Sequence, residues 1–116
     1  MFEENKQRII QEFVPGKQVT MAHLIANPDS SLFRKIGANT DSATALGIMT
    51  ITPSEASIIG ADLAVKAAGI EVVFVDRFSG SLIISGDTAS VEASLQAVNE
   101  GLHQVLGFTP AEITRT

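Results

Sequence analysis

Short β-branched runs alternate with segments of helical periodicity, and this alternation most limits what the chain can fold into. Runs at 19–25, 45–51, 70–75 and 82–85 are rich in Val, Ile and Thr, which predicts strands. The last two flank the sequence DRFSGS, in which Gly80 can adopt positive φ, so they predict a hairpin. From residue 19 onward the predicted order is β-α-β-α-β-β-α. This is an α+β plan with helices on a mostly antiparallel sheet.

The first long helix is predicted from the residues at its two ends. Thr52 as N-cap, Pro53 at the first helical position and Glu55 three residues after the cap together form a capping-box pattern. Gly69 stands where a left-handed residue would end the helix.

Two further helices are predicted in the same way. A long one begins near Asp87 and ends before Gly107, with a buried stripe of Val91, Leu95, Val98, Leu102 and Val105. A short one opens at Asn27-Pro28-Asp29 and closes at Gly37, with Leu32, Phe33 and Ile36 as its apolar contacts.

Composition narrows the class of protein. The net charge of −5 and the absence of any Lys/Arg cluster argue against nucleic-acid binding. The chain has no cysteine, and it shows neither a signal peptide nor an apolar run of membrane-spanning length. We therefore expect a soluble cytoplasmic protein without a membrane partner.

A mean hydropathy of +0.25 is high for 116 residues, which predicts that apolar surface is buried against other subunits.

The two ends of the chain stand apart from the βα units. Residues 8–14, RIIQEFV, predict a short strand closed by the turn signal Pro15-Gly16. In a monomer it would be a lone apolar edge, and closing it into a barrel removes that edge. The predicted division is therefore 1–18 as an N-terminal strand and turn and 19–116 as the folded domain. The polar tail FTPAEITRT is either another edge segment or a surface arm.

Candidate chemical groups are few. His23 lies in a strand and His103 off the buried stripe, so we interpret the first as a hydrogen-bonded structural residue and the second as a surface residue. We interpret Asp76 and Arg77, beside Phe78, as solvated charged residues at the strand end of the predicted hairpin. Asp87 is better explained as a helix cap than as part of a phosphate-binding turn. Because no nucleophile is paired with an acid or base, the sequence predicts no catalytic, cofactor or metal site.

Several separate blocks carry a resemblance to a known family: VPGKQVTMAHLIANP, GIMTITPSEASII, ADLAVKAA, VDRFSGSLIISGD and the ending ITRT. They resemble the circularly permuted BMC-domain shell proteins of bacterial microcompartments, of the ethanolamine- and propanediol-utilisation type. In ordinary members the piece matching HLIANP and the short helix after it come last, whereas here they come first. The resemblance implies a ferredoxin-like BMC domain in permuted order, with an N-terminal strand that forms a β-barrel in the oligomer.

The resemblance also implies a structural role. Such proteins form homohexameric tiles that pack with other shell proteins around enclosed metabolic enzymes, in a compartment within the cytoplasm and without a cofactor; the ethanolamine type fits best. The implied pore loop is Asp76, Arg77, Phe78, Ser79, Gly80 and Ser81. The implied barrel strand, which caps the pore, is Ile9, Ile10, Gln11, Glu12, Phe13 and Val14. Lys66 matches the family's tile-edge lysine, and Asn27 stands where ordinary members carry an arginine of that edge.

Two other classes of protein remain open. Ferredoxin-like α+β folds also host small-molecule-binding regulatory domains. Such a sensor needs polar residues that converge on a pocket, and here only the loop from Asp76 to Ser81 offers them. An enzyme is the third possibility, disfavoured by the lack of an acid/base pair with a nucleophile.

Overall fold

A computed structural model describes residues 16–39 and 43–116. These residues form five strands and three helices: β1 (Gln18–Ala26), α1 (Ser30–Lys35), β2 (Ala45–Thr52), α2 (Ala56–Ala67), β3 (Glu71–Val75), β4 (Ser81–Gly86), α3 (Thr88–Leu106) and β5 (Ile113–Arg115). The predicted order of elements is confirmed, and the tail adds β5 as an edge segment. The predicted strand at 8–14 lies outside the described residues.

The strands form one sheet in the order β3-β4-β2-β1-β5. Three pairs of neighbouring strands are antiparallel: β1 with β2, β2 with β4, and β4 with β3. β5 runs parallel to β1. Gln18 lies opposite Thr52, and Thr50 lies opposite Ser81. We call this the hairpin end of the sheet, because the loop between β3 and β4 leaves it there. At the other end, the distal end, Ala26 pairs with Ala45 and Ala45 with Gly86.

One face of the sheet carries the core. Alternate residues of each strand point to this face, and α2 and α3 cover it. The apolar side chains that meet there are buried to within a few per cent: Ala22, Leu24, Met49, Ile51, Leu82, Ile84, Val91, Leu95, Val98 and Leu102. Each large one stabilises the fold by about 1.5–3 kcal/mol. α2 comes close to the sheet at Gly60, where an added Cβ would lie 2.8 Å from Cδ1 of Ile51.

The first long helix starts and stops differently from the sequence prediction. α2 begins at Ala56, and Glu55, at its N-cap, makes no side-chain capping bond. Thr52 is the last residue of β2, where it pairs with Gln18, and the Thr52–Pro53 peptide is cis. The capping-box prediction is wrong because Thr52 belongs to the sheet. Gly69 is not the helix stop either, since α2 ends at Ala67 and the next residue, Ala68, is already extended.

The ends of the other helices follow the prediction. The Asp87 carboxylate accepts a hydrogen bond from the Ser90 N–H at 2.8 Å, and Gly107 ends α3 at φ 75°. Asp29 caps α1 in the same way through the Ser31 N–H.

The predicted stripe of α3 and the predicted contacts of α1 need correction. Val105 is 78% exposed, because the chain turns back at Gly107 and the buried Phe108 fills that end of the core. On α1, Phe33 is buried but Leu32 is 38% exposed.

Candidate functional site: the two ends of the sheet

The loop from Asp76 to Ser81 is closed by its own hydrogen bonds. The Asp76 carboxylate accepts from the Phe78 N–H at 2.9 Å and from the Ser79 hydroxyl at 2.8 Å. Across the base of the loop, the Gly80 N–H donates to the Asp76 carbonyl at 2.8 Å, and the Asp76 N–H donates to Ser81 O at 2.9 Å. The loop therefore has a defined shape in the single protomer.

Gly80 joins this loop to the body of the domain. Its φ of 81° lies in the left-handed region, and its carbonyl accepts from the Ile51 N–H at 2.9 Å. A Cβ at this position would collide with the Ile51 carbonyl oxygen. Only glycine fits both the backbone conformation and the space.

The tip of the loop presents an aromatic ring to solvent. Phe78 is 79% exposed, and the Arg77 guanidinium carbon lies 4.8 Å from the centre of its ring. This distance is typical of a cation–π contact. The tip thus combines an exposed apolar face with a positive charge.

The two hydrogen bonds to Asp76 hold the pKa of its carboxyl below the ordinary aspartate range, the Phe78 N–H contributing most and the Ser79 hydroxyl next. Because the folded-state pKa is lowered, the carboxylate stabilises the loop above the unfolded-state pKa of about 4, and that stability is lost as pH falls through the folded value. We expect Asp76→Asn to be less stable than wild type at pH 7 and the difference to shrink on acidification, measured by thermal unfolding from pH 7 to pH 3. A difference that is the same at both pH values would contradict this role of the charge.

The chain enters β1 at the same end of the sheet. The Lys17 carbonyl accepts from the Thr109 N–H at 2.9 Å, and the Thr109 carbonyl accepts from the Val19 N–H at 2.9 Å. These two bonds fix the point where residues 1–15 join the domain. It lies two strands away from the loop, about 10 Å at the usual strand spacing. The predicted barrel residues Ile9 to Val14 themselves lie outside the described residues.

The two predicted edge positions lie at the distal end. α2 starts beside the loop, where the Ser57 hydroxyl donates to the Asp76 carbonyl, and runs toward Gly69, whose carbonyl lies near Gly86. Lys66, in its last turn, is exposed and pairs with Asp62 at 2.8 Å. Asn27 follows β1 directly, with φ 52°.

Both histidines are bonded within the fold. Nδ1 of His23 lies 2.6 Å from the Thr114 hydroxyl and Nε2 lies 2.9 Å from the Thr116 hydroxyl, which confirms the structural interpretation and ties β5 to β1. Exposed His103 bonds the Phe108 carbonyl through Nδ1 at 3.0 Å.

A groove of about 320 Å³ lies between α3 and the segment before β5. Its one buried polar side chain, Asn99, is already bonded in both directions to Ala111, at 2.7 and 3.1 Å. Among residues 16–39 and 43–116 there is no cluster of three potential metal ligands. No helix in this part of the chain is long and apolar enough to cross a membrane.

Sequence reasoning missed how the loop is anchored. The bond from Ser57 to Asp76 and that from Ile51 to Gly80 join residues 19 and 29 positions apart. No local pattern signals such pairs. In the sequence, only Gly80 of DRFSGS indicated that the backbone of this loop is constrained.

Comparison with known proteins places the chain among shell proteins. Residues 45–114 match the BMC domain. The microcompartment shell protein PduU of Salmonella typhimurium is 53% identical over 109 residues, which cover 94% of this chain and 93% of that protein. EutS of the same organism is 54% identical over 112 residues, 97% of this chain and 99% of that one. A solved chain titled "CutR flat hexamer" superposes with a TM-score of 0.82 at 44% identity, covering 89% of this chain and 94% of that chain.

The superposition shows that the fold described above is shared with that relative, and the sequence identities extend over nearly the full length of PduU and EutS. The chain belongs to the BMC-domain family of bacterial microcompartment shell proteins.

Proposed function

We propose that the protein is a non-enzymatic shell subunit that forms hexameric tiles. The observation that carries this proposal is the separation of the loop and the edge positions to opposite ends of one sheet. A six-fold tile needs one end of each protomer at its axis and the other at its perimeter. The loop from Asp76 to Ser81 is suited to the axis, and Lys66 and Asn27 to the perimeter. The solved hexamer of a relative at 44% identity supports this assembly.

The domain is proposed to be a permuted BMC domain, with a boundary near residue 18. The family match begins at Ala45, the first residue of β2, and leaves β1 outside it. Yet β1 is the sheet neighbour of β2, as the last strand of an unpermuted order would be. This relation between chain order and sheet order supports the permutation.

Residues 9–14 of six copies are proposed to form the barrel that caps the pore. The support is the point at which this segment joins the domain, at the hairpin end and about 10 Å from the loop. Closing six short strands into a barrel would remove the exposed edge that each has alone.

At the perimeter, tiles would meet other shell proteins, and the assembled layer would surround enzymes inside a compartment in the cytoplasm. We propose the ethanolamine-utilisation type for this compartment. The match to EutS, 54% identical over 112 residues, supports it, and the match to PduU, 53% identical over 109 residues, makes the propanediol type the alternative. Co-expression with the other shell subunits of each pathway tests this: incorporation only into the propanediol type would contradict it.

Native mass spectrometry at micromolar concentration should show six copies of the full-length chain. We expect association because apolar side chains are left exposed: Met21, Phe74 and Val75 are each at least 40% exposed in the isolated protomer. Their burial between protomers would favour the hexamer. A stable folded monomer at that concentration would refute the hexamer and with it the proposed tile.

A further inference from the structure

A second cavity, of about 200 Å³, lies at the distal end of the sheet, between the segment after α2, the first residue of β3 and the end of β4. Its walls include Gly69, Ile70, Glu71, Ser85 and Gly86. The volume is that of about six water molecules in the liquid, so the cavity can hold a ligand with a similar number of non-hydrogen atoms. We propose that this cavity binds a short aliphatic amine in its protonated form.

The feature that points to a ligand is the hydroxyl of Ser85. This residue is only 2% exposed, and it lines the cavity. Its oxygen is not fully closed off from solvent, but among residues 16–39 and 43–116 it has no hydrogen-bond partner. Buried polar groups are normally bonded, because a buried group without a partner costs free energy. A ligand that bonds this hydroxyl from the cavity would remove that cost.

The charge of the cavity comes from Glu71. This residue lies directly opposite Ser85 in the pairing of β3 with β4. Opposite residues point to the same face of a sheet, with Cβ atoms about 5 Å apart. The carboxylate and the hydroxyl do not bond each other, so a donor held between them could bond both. The described residues that line the cavity include no Lys or Arg, and the site therefore favours a cation over an anion.

Gly86 leaves space beside a third acceptor. A Cβ at this position would lie 3.0 Å from Cγ2 of Ile70 and 3.4 Å from the carbonyl oxygen of Gly69. Because glycine has no Cβ, the space next to that oxygen stays free. A primary ammonium group carries three N–H donors and no acceptor, which matches a carboxylate, a hydroxyl and a carbonyl. Ile70 offers an apolar contact to the aliphatic part of the ligand.

The test is an NMR titration of the full-length, isotope-labelled protein with n-butylammonium chloride, followed through backbone amides. We expect the amides of Glu71 and Gly86 to shift and saturate with a Kd in the millimolar range, since Glu71 is exposed and its ion pair is screened by solvent. The amide of Gly80, at the hairpin end, should not move. Tetramethylammonium has the same charge and the same number of non-hydrogen atoms but no N–H donor, so it should bind at least about ten-fold more weakly.

Two variants identify the groups that bind. Ser85→Ala and Glu71→Gln should each weaken the binding of butylammonium about ten-fold. Glu92→Gln, which removes a carboxylate from the exposed surface of α3, is the matched control and should leave binding unchanged. Without amine, Ser85→Ala should not lower the unfolding midpoint, because the hydroxyl that it removes has no partner in the fold. A clear loss of stability would show that Ser85 serves the fold and would overturn its assignment to a ligand.

Equal binding of butylammonium and tetramethylammonium would overturn the proposal, as would undiminished binding to both variants. Binding that appears only after Lys66→Met would also overturn it, because the cavity would then hold this lysine of a neighbouring copy in place of a free amine. The oligomeric state is measured separately by native mass spectrometry, so a cavity without affinity for amines would leave the proposed hexamer untouched.

Discussion

Gly80→Ala is expected to destabilise the fold by about 3 kcal/mol, which would lower the unfolding midpoint by about 10 °C or more. Two effects add. The alanine must hold a positive φ of 81°, and its Cβ would collide with the Ile51 carbonyl oxygen. That collision displaces β2 from the loop, where the Ile51 N–H bonds the Gly80 carbonyl. The measurement is thermal unfolding followed by circular dichroism at one fixed protein concentration.

Gly37 provides the matched control. It has nearly the same φ, 82°, but a Cβ there would meet nothing within 4 Å. Gly37→Ala should therefore cost only the conformational strain, about 1 kcal/mol. If the two variants were equally stable, the close contact at Gly80 would have no energetic weight and the loop would not be fixed to β2 as described.

Lys66→Asp is expected to abolish assembly of tiles into sheets while leaving the hexamer and its unfolding midpoint nearly unchanged. Lys66 is exposed at the distal end, and its ion pair with Asp62 is a surface pair, so the cost to the protomer stays under about 1 kcal/mol. At a contact between tiles, however, the substitution is repeated six times per hexamer and replaces each cation with an anion. Electron microscopy of concentrated protein measures the assembly of tiles into sheets, and native mass spectrometry measures the hexamer.

The double variant Asp62→Lys/Lys66→Asp distinguishes a role of Lys66 at the tile edge from a role of its ion pair with Asp62 within α2. It keeps an ion pair between the two positions and the net charge, but moves the cation by one helical turn. If the cation is needed at position 66, the double variant will fail to assemble as the single one does. Restored sheets would mean that only the pair matters, and loss of the hexamer in either variant would place Lys66 at a contact within the tile.

Local signals predicted those parts of the fold that local forces determine. Asp87 and Gly107 delimit α3 because a carboxylate satisfies free N–H groups and glycine tolerates positive φ, whatever the rest of the chain does. At Thr52 the local signal was equally clear, but pairing with Gln18, 34 residues earlier, keeps this residue in the sheet. Val105 was misplaced for a similar reason, since helical spacing does not show that Phe108 occupies the end of the core.

The same division applies to the candidate site. The hairpin and its glycine could be predicted from DRFSGS alone, and the assignment of that loop and of Lys66 to axis and edge came from family resemblance. That the loop and the start of β1 lie at one end, with Lys66 and Asn27 at the other, depends on the strand register. Register is set by contacts between distant segments, so the sequence pattern left it open.

The two edges of the described sheet have a consequence for a protein that is proposed to pack with many copies in one layer. β5 offers only three residues to an incoming strand, and β3 is interrupted by a bulge between Val72 and Phe74. Short or bulged edges are poor templates for intermolecular β-pairing. Neighbouring copies would therefore not readily pair their sheet edges into amyloid-like fibrils. Their contacts would instead be made by side chains. Specificity carried by side chains can diverge one substitution at a time, which would let related subunits share one fold without mixing indiscriminately.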